Sequence, residues 1–296
     1  MSSAGTARRI IFRTLLVLMA TALLLYGGVI VYYMHVERSI VYQPSKVFFA
    51  ARPDEQVPFS PISLTTADHI KLSGWRIDNC NKGPASQYWI LFFHGNSGNV
   101  SGSRRWYQVF CRLGFRTLAI DYRGYGNSQG IPSERGFYAD ARAAFGYLTD
   151  VEHVPPDRVI VYGHSLGAAV AVDVAAEMRP AALVIEGALL SIPARGQELY
   201  PFLPVKLIAQ NRFDAAARIP AVTCPILVLH ASGDTVAPLY HSRTLFELAR
   251  EPKKFIELEG NHGSAIALSA DKVTAALRVL TATLQKPDAY SLKVHH

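Results

Sequence analysis

One long apolar segment lies near the start of the chain, ahead of any alternation between strands and helices. Residues 14–34 read TLLVLMATALLLYGGVIVYYM and carry no charge, and 21 residues of helix cover about 30 Å of hydrocarbon. A cleaved signal peptide is the alternative, because Ala20-Thr21-Ala22 resembles a cleavage motif. The apolar run continues well past that motif, whereas the apolar core of a signal peptide spans only ~7–15 residues. The pattern therefore predicts an uncleaved transmembrane helix.

Basic residues are distributed unequally around this segment. Arg8, Arg9 and Arg13 precede it, while Arg38 and Lys46 follow it. Because cytoplasmic flanks carry the excess of Lys and Arg, we expect a cytoplasmic N-terminus. Residues 1–36 would then form a cytoplasmic tail and the membrane anchor. The rest of the chain is expected outside the cytoplasm, in a lumen or a periplasm. Residues 37–58 contain three prolines and are predicted to be a linker.

From residue 59 to residue 288, predicted strands and helices alternate. Segment 63–77 is predicted to be a hairpin that turns near Asp68, and the apolar run YWILFFHG at 88–95 is typical of a strand buried on both faces. Further strands are predicted at 117–120, 159–162, 182–185, 225–231 and 254–258, with helices at about 104–113, 134–148, 166–178, 239–250 and 270–284. This alternation predicts an α/β domain with a mostly parallel sheet and helices on both faces. In such sheets the functional residues follow the carboxyl ends of strands.

Composition and charge exclude several classes of function. The formal net charge is +7, but the basic residues are scattered and form no stripe that would indicate nucleic-acid binding. The ten histidines include no H-x-x-x-H or H-E-x-x-H pair, so no metal is predicted. The segment DYRGYGNSQG misses the dinucleotide-binding glycine pattern by one position, and no cofactor is predicted. Cys80, Cys111 and Cys224 are odd in number and far apart, so we expect neither a disulfide framework nor a metal site.

One short segment of the sequence contains a motif for a catalytic nucleophile. In VIVYGHSLGAAVAV, residues 159–172, a buried strand gives way to a helix of small residues, and the pentapeptide GHSLG stands between them. This matches the G-x-S-x-G nucleophile elbow in the strand-to-helix context that the motif requires. The turn is so tight that side chains at the flanking positions would collide with backbone, which explains the glycines. We predict that Ser165 is a nucleophile.

A serine hydroxyl needs a general base, and the base needs a group that orients it. In enzymes that carry their serine on a nucleophile elbow, the acid and then the histidine follow the serine along the chain. Asp234 and His262 fit that order, and each comes shortly after a predicted strand. Glu186 also ends a strand and is the weaker candidate for the acid, whereas Asp121 precedes Ser165 and stands in the wrong order.

Nucleophilic attack creates an oxyanion, which needs preorganised hydrogen-bond donors. The backbone N–H of Leu166, the residue after the nucleophile, is one predicted donor. The second is expected in the loop HGNSGN, where Asn96 is the first choice and Ser97 the alternative. His94 precedes Ser165 in the chain and is expected to brace this loop rather than to act as the base.

Together these motifs resemble the α/β-hydrolase superfamily, and more narrowly its small membrane-anchored branch of lysophospholipase-like and acylglycerol-lipase-like proteins. The resemblance runs from about residue 37 to the last helix and rests on FFHGNSGN, AIDYRGYGNSQGIPSE, GHSLG, CPILVLHASGDTVAP and GNHG. It implies an α/β-hydrolase fold whose serine, acid and histidine fall on Ser165, Asp234 and His262. The chain departs from the family pattern at Ala168 and Ala231, which stand where glycine is usual.

Residues 191–224 fall where such hydrolases insert a lid, and ELYPFLPVKLIAQ within them is apolar on more than one face. This segment is expected either to pack as a helix over the sheet edge or to form a short lid that lines an acyl pocket and touches the bilayer. The resemblance implies a serine hydrolase of carboxylic esters, with acyl lipids such as monoacylglycerol or lysophospholipid as expected substrates. A thioesterase or peptidase with the same triad, and a non-catalytic hydrolase fold that serves as a membrane interaction module, are the alternatives. The oligomeric state stays open.

Overall fold

A central β-sheet dominates the molecule, whose computed structural model describes residues 3–50, 57–78, 80, 83 and 85–285. The strands among these residues are β1 (Gln43–Pro44), β2 (Ser60–Thr65), β3 (Lys71–Ile77), β4 (Trp89–Phe93), β5 (Ser97–Gly98), β6 (Arg116–Ile120), β7 (Val159–His164), β8 (Ala182–Glu186), β9 (Ile226–Ala231) and β10 (Lys253–Leu258). Strands β1 and β5 pair with each other, and the other eight form the sheet in the order β10-β9-β8-β7-β4-β6-β3-β2.

The direction of the strands follows from their burial. Strands β4, β7 and β8 are buried almost throughout and lie in the parallel part of the sheet, where continuous apolar runs are typical. Strand β2 lies at the edge, exposes most of its residues and pairs antiparallel with β3, which in turn pairs antiparallel with β6. The mostly parallel sheet predicted from the sequence is therefore confirmed, and so is the hairpin around Asp68.

Helices cover both faces of the sheet. The helices of the described residues are α1 (Ser3–Val41), α2 (Arg104–Leu113), α3 (Glu134–Gly146), α4 (Leu166–Met178), α5 (Ile192–Leu199), α6 (Val205–Ile208), α7 (Ala215–Arg218), α8 (Leu239–Leu248), α9 (Ala265–Leu268) and α10 (Ala270–Leu284), with short 3-10 turns at Val100–Ser103, Pro156–Arg158 and Ile219–Ala221 and a π turn at Tyr147–Val151. Neighbouring side chains of β4 enter different cores: Leu91 packs with α3 and α4 residues, and Phe92 packs with α2 and α10 residues. The alternation along a strand thus feeds two apolar layers.

Helix α1 contains the predicted apolar segment 14–34 and continues to Val41. The first five residues of the predicted linker are therefore helical, and the helix ends shortly before Pro44, where the restricted backbone before a proline disfavours further helix. Within the described part of the chain, α1 is the one helix long and apolar enough to cross a membrane, judged by length and composition.

The segment predicted as a lid, residues 191–224, folds into helices α5, α6 and α7 and a 3-10 turn. Its first part packs on α1, because Tyr33 forms a small apolar cluster with Leu203 and Val205. The carboxylate of Glu37, which is buried, accepts hydrogen bonds from the backbone N–H groups of Gln210 and Asn211. Helix α1 is therefore attached to the body of the molecule along its C-terminal end.

The sequence analysis expected no disulfide framework, and it missed one disulfide. Cys80 follows β3 and Cys111 lies on α2, which packs beside that strand, and the two form a disulfide with a Cα–Cα distance of 4.9 Å. The cysteines are 31 residues apart in sequence, and only the packing of α2 on the sheet brings them together. Cys224 is free, and burial raises the pKa of its thiol to about 12.

We expect this disulfide in the purified protein. Alkylation of the denatured but unreduced chain should add one label, and prior reduction should raise the number to three by mass spectrometry. Cys111→Ser should lower the free energy of unfolding by about 3–4 kcal/mol, because the crosslink restricts the unfolded chain. The matched variant Cys224→Ser should retain the crosslink. Three labels without reduction would show that the cysteines do not pair.

Candidate active site

Ser165 occupies a strained turn between β7 and α4. Its φ of 56° and ψ of −123° lie outside the regions that side chains favour, at a cost of roughly 1–3 kcal/mol. The flanking glycines are required by close approach. A Cβ on Gly163 would lie 2.2 Å from the carbonyl oxygen of Gly167, and a Cβ on Gly167 would lie 2.2 Å from that of Phe93. The corner therefore holds the serine at the carboxyl end of the strand.

Two neighbouring loops bring the other predicted residues to this corner. Strands β9 and β10 pair in parallel up to Ala231 and Leu258, so the loops that follow them leave the sheet side by side. The N–H of Gly233 donates to the carbonyl of Gly260 at 3.0 Å, which joins the two loops. Their side chains then converge on the turn that carries Ser165.

Ser165, His262 and Asp234 form a continuous chain of hydrogen bonds. The Oγ of Ser165 lies 2.9 Å from Nε2 of His262, and Nδ1 of His262 lies 2.6 Å from Oδ2 of Asp234. The Asp234 side chain is 1% exposed and that of His262 is 17% exposed. Nδ1 must carry the proton, because a carboxylate can only accept, and Nε2 is then left to accept the serine proton.

The Asp234 carboxylate is held in its charged form. Burial raises its pKa, but hydrogen bonds from His262 and from the N–H of Ala237 outweigh burial, and the pKa lies below its usual value. Its other oxygen, Oδ1, accepts from the N–H groups of Val236 and Ala237 at 2.9 and 2.8 Å. Asp234 is thereby oriented by its own loop and stays ionised opposite His262.

The alternative acid, Glu186, lies nearby but bonds elsewhere. It is 2% exposed, and its Oε2 accepts from Trp106 Nε1 at 2.7 Å and from the Tyr162 hydroxyl at 2.6 Å. Burial raises the pKa of this carboxyl. In the structure, therefore, His262 bonds Asp234 and does not bond Glu186. Asp121 likewise bonds the Val100 N–H at 2.7 Å, and burial raises its pKa to about 7.

The predicted oxyanion donors lie on either side of Ser165. Leu166 is the first residue of α4, whose N-terminus carries a partial positive charge. The loop after β4 passes so close that a Cβ on Gly95 would lie 3.3 Å from Cβ of Ser165. Asn96 and the alternative Ser97 follow in that loop and line the same cavity as Ser165.

This cavity has a volume of about 670 Å³ and opens over Ser165 and His262. Its lining includes the apolar side chains Phe49 and Trp106 and the charged side chain of Arg104. Besides the turn with Ser165 and the loop with His262, the described residues that line it come from the segment after α1, from the loop after β4 and from the start of α2. None of them comes from the predicted lid at 191–224. Of the two alternatives for residues 191–224, the lining of this cavity gives no support to a lid over an acyl pocket, and part of the segment packs on α1.

Two contributors to the site were missed by the sequence analysis. Trp106 lines the cavity and places its ring 4.8 Å from that of His164, which in turn lies 5.0 Å from the ring of His262. Burial lowers the pKa of His164 to about 3, so its imidazole is neutral. No sequence pattern marks Trp106, since it reaches the site only through the packing of α2. No group of His, Cys, Asp and Glu in the described residues could hold a metal ion.

Comparison with known proteins places this geometry in a family. The profile of the alpha/beta hydrolase family matches residues 90–212. The chain is 34% identical to the uncharacterized protein Rv2307c of Mycobacterium tuberculosis over 243 residues, which cover 81% of this chain and 85% of that protein. It is 33% identical to lysophosphatidylserine lipase ABHD12 of Danio rerio over 184 residues, 55% of this chain and 48% of that protein.

Solved structures give the same fold. An esterase of Pyrococcus furiosus, Pf2001, superposes with a TM-score of 0.65 at 21% identity, over 81% of this chain and 96% of that one. An alpha-beta hydrolase of Vibrio vulnificus superposes with a TM-score of 0.62 at 21% identity, over 73% of this chain and 80% of that one. With its parallel sheet, its strained serine turn and these relatives, the chain belongs to the alpha/beta hydrolase family.

Proposed function

We propose that the protein is a membrane-anchored serine hydrolase that cleaves carboxylic esters of acyl lipids, such as monoacylglycerols or lysophospholipids. The observation that carries this proposal is the hydrogen-bonded chain from Ser165 through His262 to Asp234 at a strained strand-to-helix turn. The lysophosphatidylserine lipase named among the relatives acts on a lipid of this class, which supports the choice of substrate.

The geometry defines the steps of the reaction. His262 Nε2 takes the hydroxyl proton as Ser165 Oγ attacks the acyl carbon, and Asp234 stabilises the imidazolium that forms. The N–H groups of Leu166 and Asn96 stabilise the negative oxygen of the tetrahedral intermediate. His262 then gives the proton to the departing alcohol. Water attacks the acyl enzyme with His262 again as base, which releases the fatty acid and restores Ser165.

The packing of the lid region on α1 supports action at a membrane. The hydroxyl of Tyr26 donates to the carbonyl of Phe202 at 2.8 Å, so the 201–203 turn stands level with the apolar segment 14–34. Three apolar side chains of this region are nevertheless exposed: Leu199 by 54%, Phe202 by 63% and Leu207 by 85%. With α1 in a bilayer, they would face acyl chains at the membrane surface rather than water.

The disulfide supports a catalytic domain outside the cytoplasm. Disulfides persist in oxidising compartments and are rare in the cytosol. The pair Cys80–Cys111 therefore agrees with the orientation inferred from Arg8, Arg9 and Arg13, which puts the N-terminus on the cytoplasmic side. We propose a single-pass protein whose hydrolase domain lies in a lumen or periplasm.

The nucleophile can be tested by covalent labelling. A fluorophosphonate should label the wild-type protein on Ser165, and Ser165→Ala should abolish labelling and lower ester hydrolysis by more than about 10³-fold. The melting temperature should stay within a few degrees, since the change removes one hydroxyl. Ser60→Ala, at the exposed outer edge of the sheet, is the matched control and should be labelled normally. Wild-type turnover by Ser165→Ala would refute the proposal.

The two candidate acids predict different losses. Asp234→Asn should lower kcat by about 10³–10⁴-fold, because an amide at this position favours the wrong tautomer of His262. Glu186→Gln should cost less than about tenfold, because Glu186 bonds Trp106 and Tyr162 rather than His262, and the amide oxygen of Gln can accept the same two hydrogen bonds. Both rates are measured with a water-soluble ester under saturating conditions. A larger loss in Glu186→Gln would assign the acid to Glu186.

Membrane contact by the lid region predicts a substrate-dependent loss. In the full chain, Phe202→Gln combined with Leu207→Gln should slow hydrolysis of a long-chain lipid in vesicles by about tenfold or more, since each apolar side chain buried contributes roughly 1.5–3 kcal/mol. Hydrolysis of a short soluble ester should change less than about twofold, because neither residue lines the cavity. Val279→Gln, an exposed apolar residue of α10, is the control. Equal effects on both substrates would remove the argument for a lipid substrate.

A further inference from the structure

The segment that follows α1, residues 42–45, reaches the loop that carries the proposed oxyanion donor. We infer that this juxtamembrane segment, together with Tyr125, positions the oxyanion loop, residues 94–98. The inference rests on the proposed function, because it assigns a role within the same catalytic site. It makes the end of the membrane helix a structural part of the active site rather than a tether.

Backbone pairing joins the two segments directly. Gln43 and Pro44 form a parallel pair with Ser97 and Gly98. The N–H of Gln43 donates to the carbonyl of Asn96 at 2.9 Å, and the N–H of Ser45 donates to the carbonyl of Gly98, also at 2.9 Å. The oxyanion loop thus gains on one side the hydrogen bonds that a strand of the main sheet would otherwise provide.

Tyr125 contacts both the juxtamembrane segment and the oxyanion loop. It is fully buried, and its hydroxyl donates to the carbonyl of Asn96 at 2.6 Å while it accepts from the N–H of Gln43 at 3.2 Å. The Asn96 carbonyl therefore has two donors, one from the juxtamembrane segment and one from Tyr125. The tyrosine ring is fixed in turn by edge contacts with Tyr122 and Phe137, at centroid distances of 5.9 and 5.7 Å.

The other side of Asn96 is held by His94. Its Nδ1 lies 2.8 Å from the carbonyl oxygen of Gly95, an atom that can only accept, so Nδ1 carries the proton. Burial lowers the pKa of His94 to about 4, which keeps the ring neutral. Because a peptide group is planar, fixing the Gly95 carbonyl also fixes the direction of the Asn96 N–H. Hydrogen bonds thus hold both peptide groups that flank the Cα of Asn96, the one that carries its N–H and the one that carries its carbonyl.

The juxtamembrane segment is itself well anchored. Helix α1 ends at Val41, and Tyr42 packs edge-on against Phe137 and Phe213 at centroid distances of 5.2 and 6.1 Å. The hydroxyl of Tyr42 donates to Asn211 Oδ1 at 2.6 Å. A single residue, Tyr42, therefore separates the end of the helix from Gln43, which makes the first hydrogen bond to the oxyanion loop.

A donor that binds only the developing oxyanion affects the transition state more than the bound substrate. Loosening the Asn96 carbonyl should therefore lower kcat and leave KM nearly unchanged. Loss of a whole donor costs about 10²–10³-fold in kcat, so we expect about tenfold for a donor that stays present but less well oriented. A trifluoromethyl ketone, which forms a tetrahedral oxyanion on Ser165, should bind more weakly by a similar factor.

The test is Tyr125→Phe in the full chain, measured with a short soluble ester. We expect kcat to fall about tenfold, KM to stay within about twofold and inhibition by the trifluoromethyl ketone to weaken about tenfold. Tyr138→Phe is the matched control, since it also removes a tyrosine hydroxyl, but one whose partner, Glu134 Oε1 at 3.0 Å, lies outside the loop. Its kcat and ketone inhibition should match the wild type. Thermal melting shows whether both variants are folded.

Three results would count against the inference. If the wild type is active and Tyr125→Phe has the same kcat and the same ketone inhibition as the wild type, the inference is overturned while the proposed function stays intact. Equal losses in Tyr125→Phe and Tyr138→Phe would overturn it as well, since they would report general packing. A wild type that neither hydrolyses esters nor reacts with a fluorophosphonate would overturn the proposed function, and the inference with it.

Discussion

The close approach of helix α4 to the centre of the sheet is the constraint on which the site depends. No side chain fits at Gly163 or Gly167, where a Cβ would stand 2.2 Å from backbone oxygen atoms. Because the helix begins that near to β4 and β7, the chain can turn only through the strained conformation of Ser165. The same approach aims the N-terminus of α4 at the space above Ser165, where negative charge would develop during ester cleavage.

The order of the strands in the sheet brings the other residues of the site to the turn that carries Ser165. Strands β8, β9 and β10 lie successively beside β7, so the loops after β9 and β10 deliver Asp234 and His262 to the same edge. On the other side, β4 delivers the loop with Asn96. Each group comes from a different strand end, and the parallel sheet brings all of them to its carboxyl edge, around Ser165. The site is thus a property of the fold more than of any single segment.

Much of this could be predicted from the sequence, because its signals are local. An apolar run, a small-residue helix and a G-x-S-x-G turn identify the sheet and the position of Ser165, and chain order indicates Asp234 and His262. The remaining features depend on contacts between distant segments. Neither the pairing of Cys80 with Cys111 nor that of Gln43 with the oxyanion loop leaves a periodic pattern, and the packing of the lid region on α1 depends on where a long helix ends.

The central claim is that acyl transfer passes through Ser165, and trapping the acyl enzyme tests it most directly. An activated ester mixed with the protein and quenched in acid within milliseconds should leave one acyl group per chain by intact mass. Peptide mapping should place it on the peptide containing Ser165, with slower loss of the acyl group in Asp234→Asn, because deacylation needs the same histidine. Steady hydrolysis with no trapped acyl group, or an acyl group on another residue, would contradict the account.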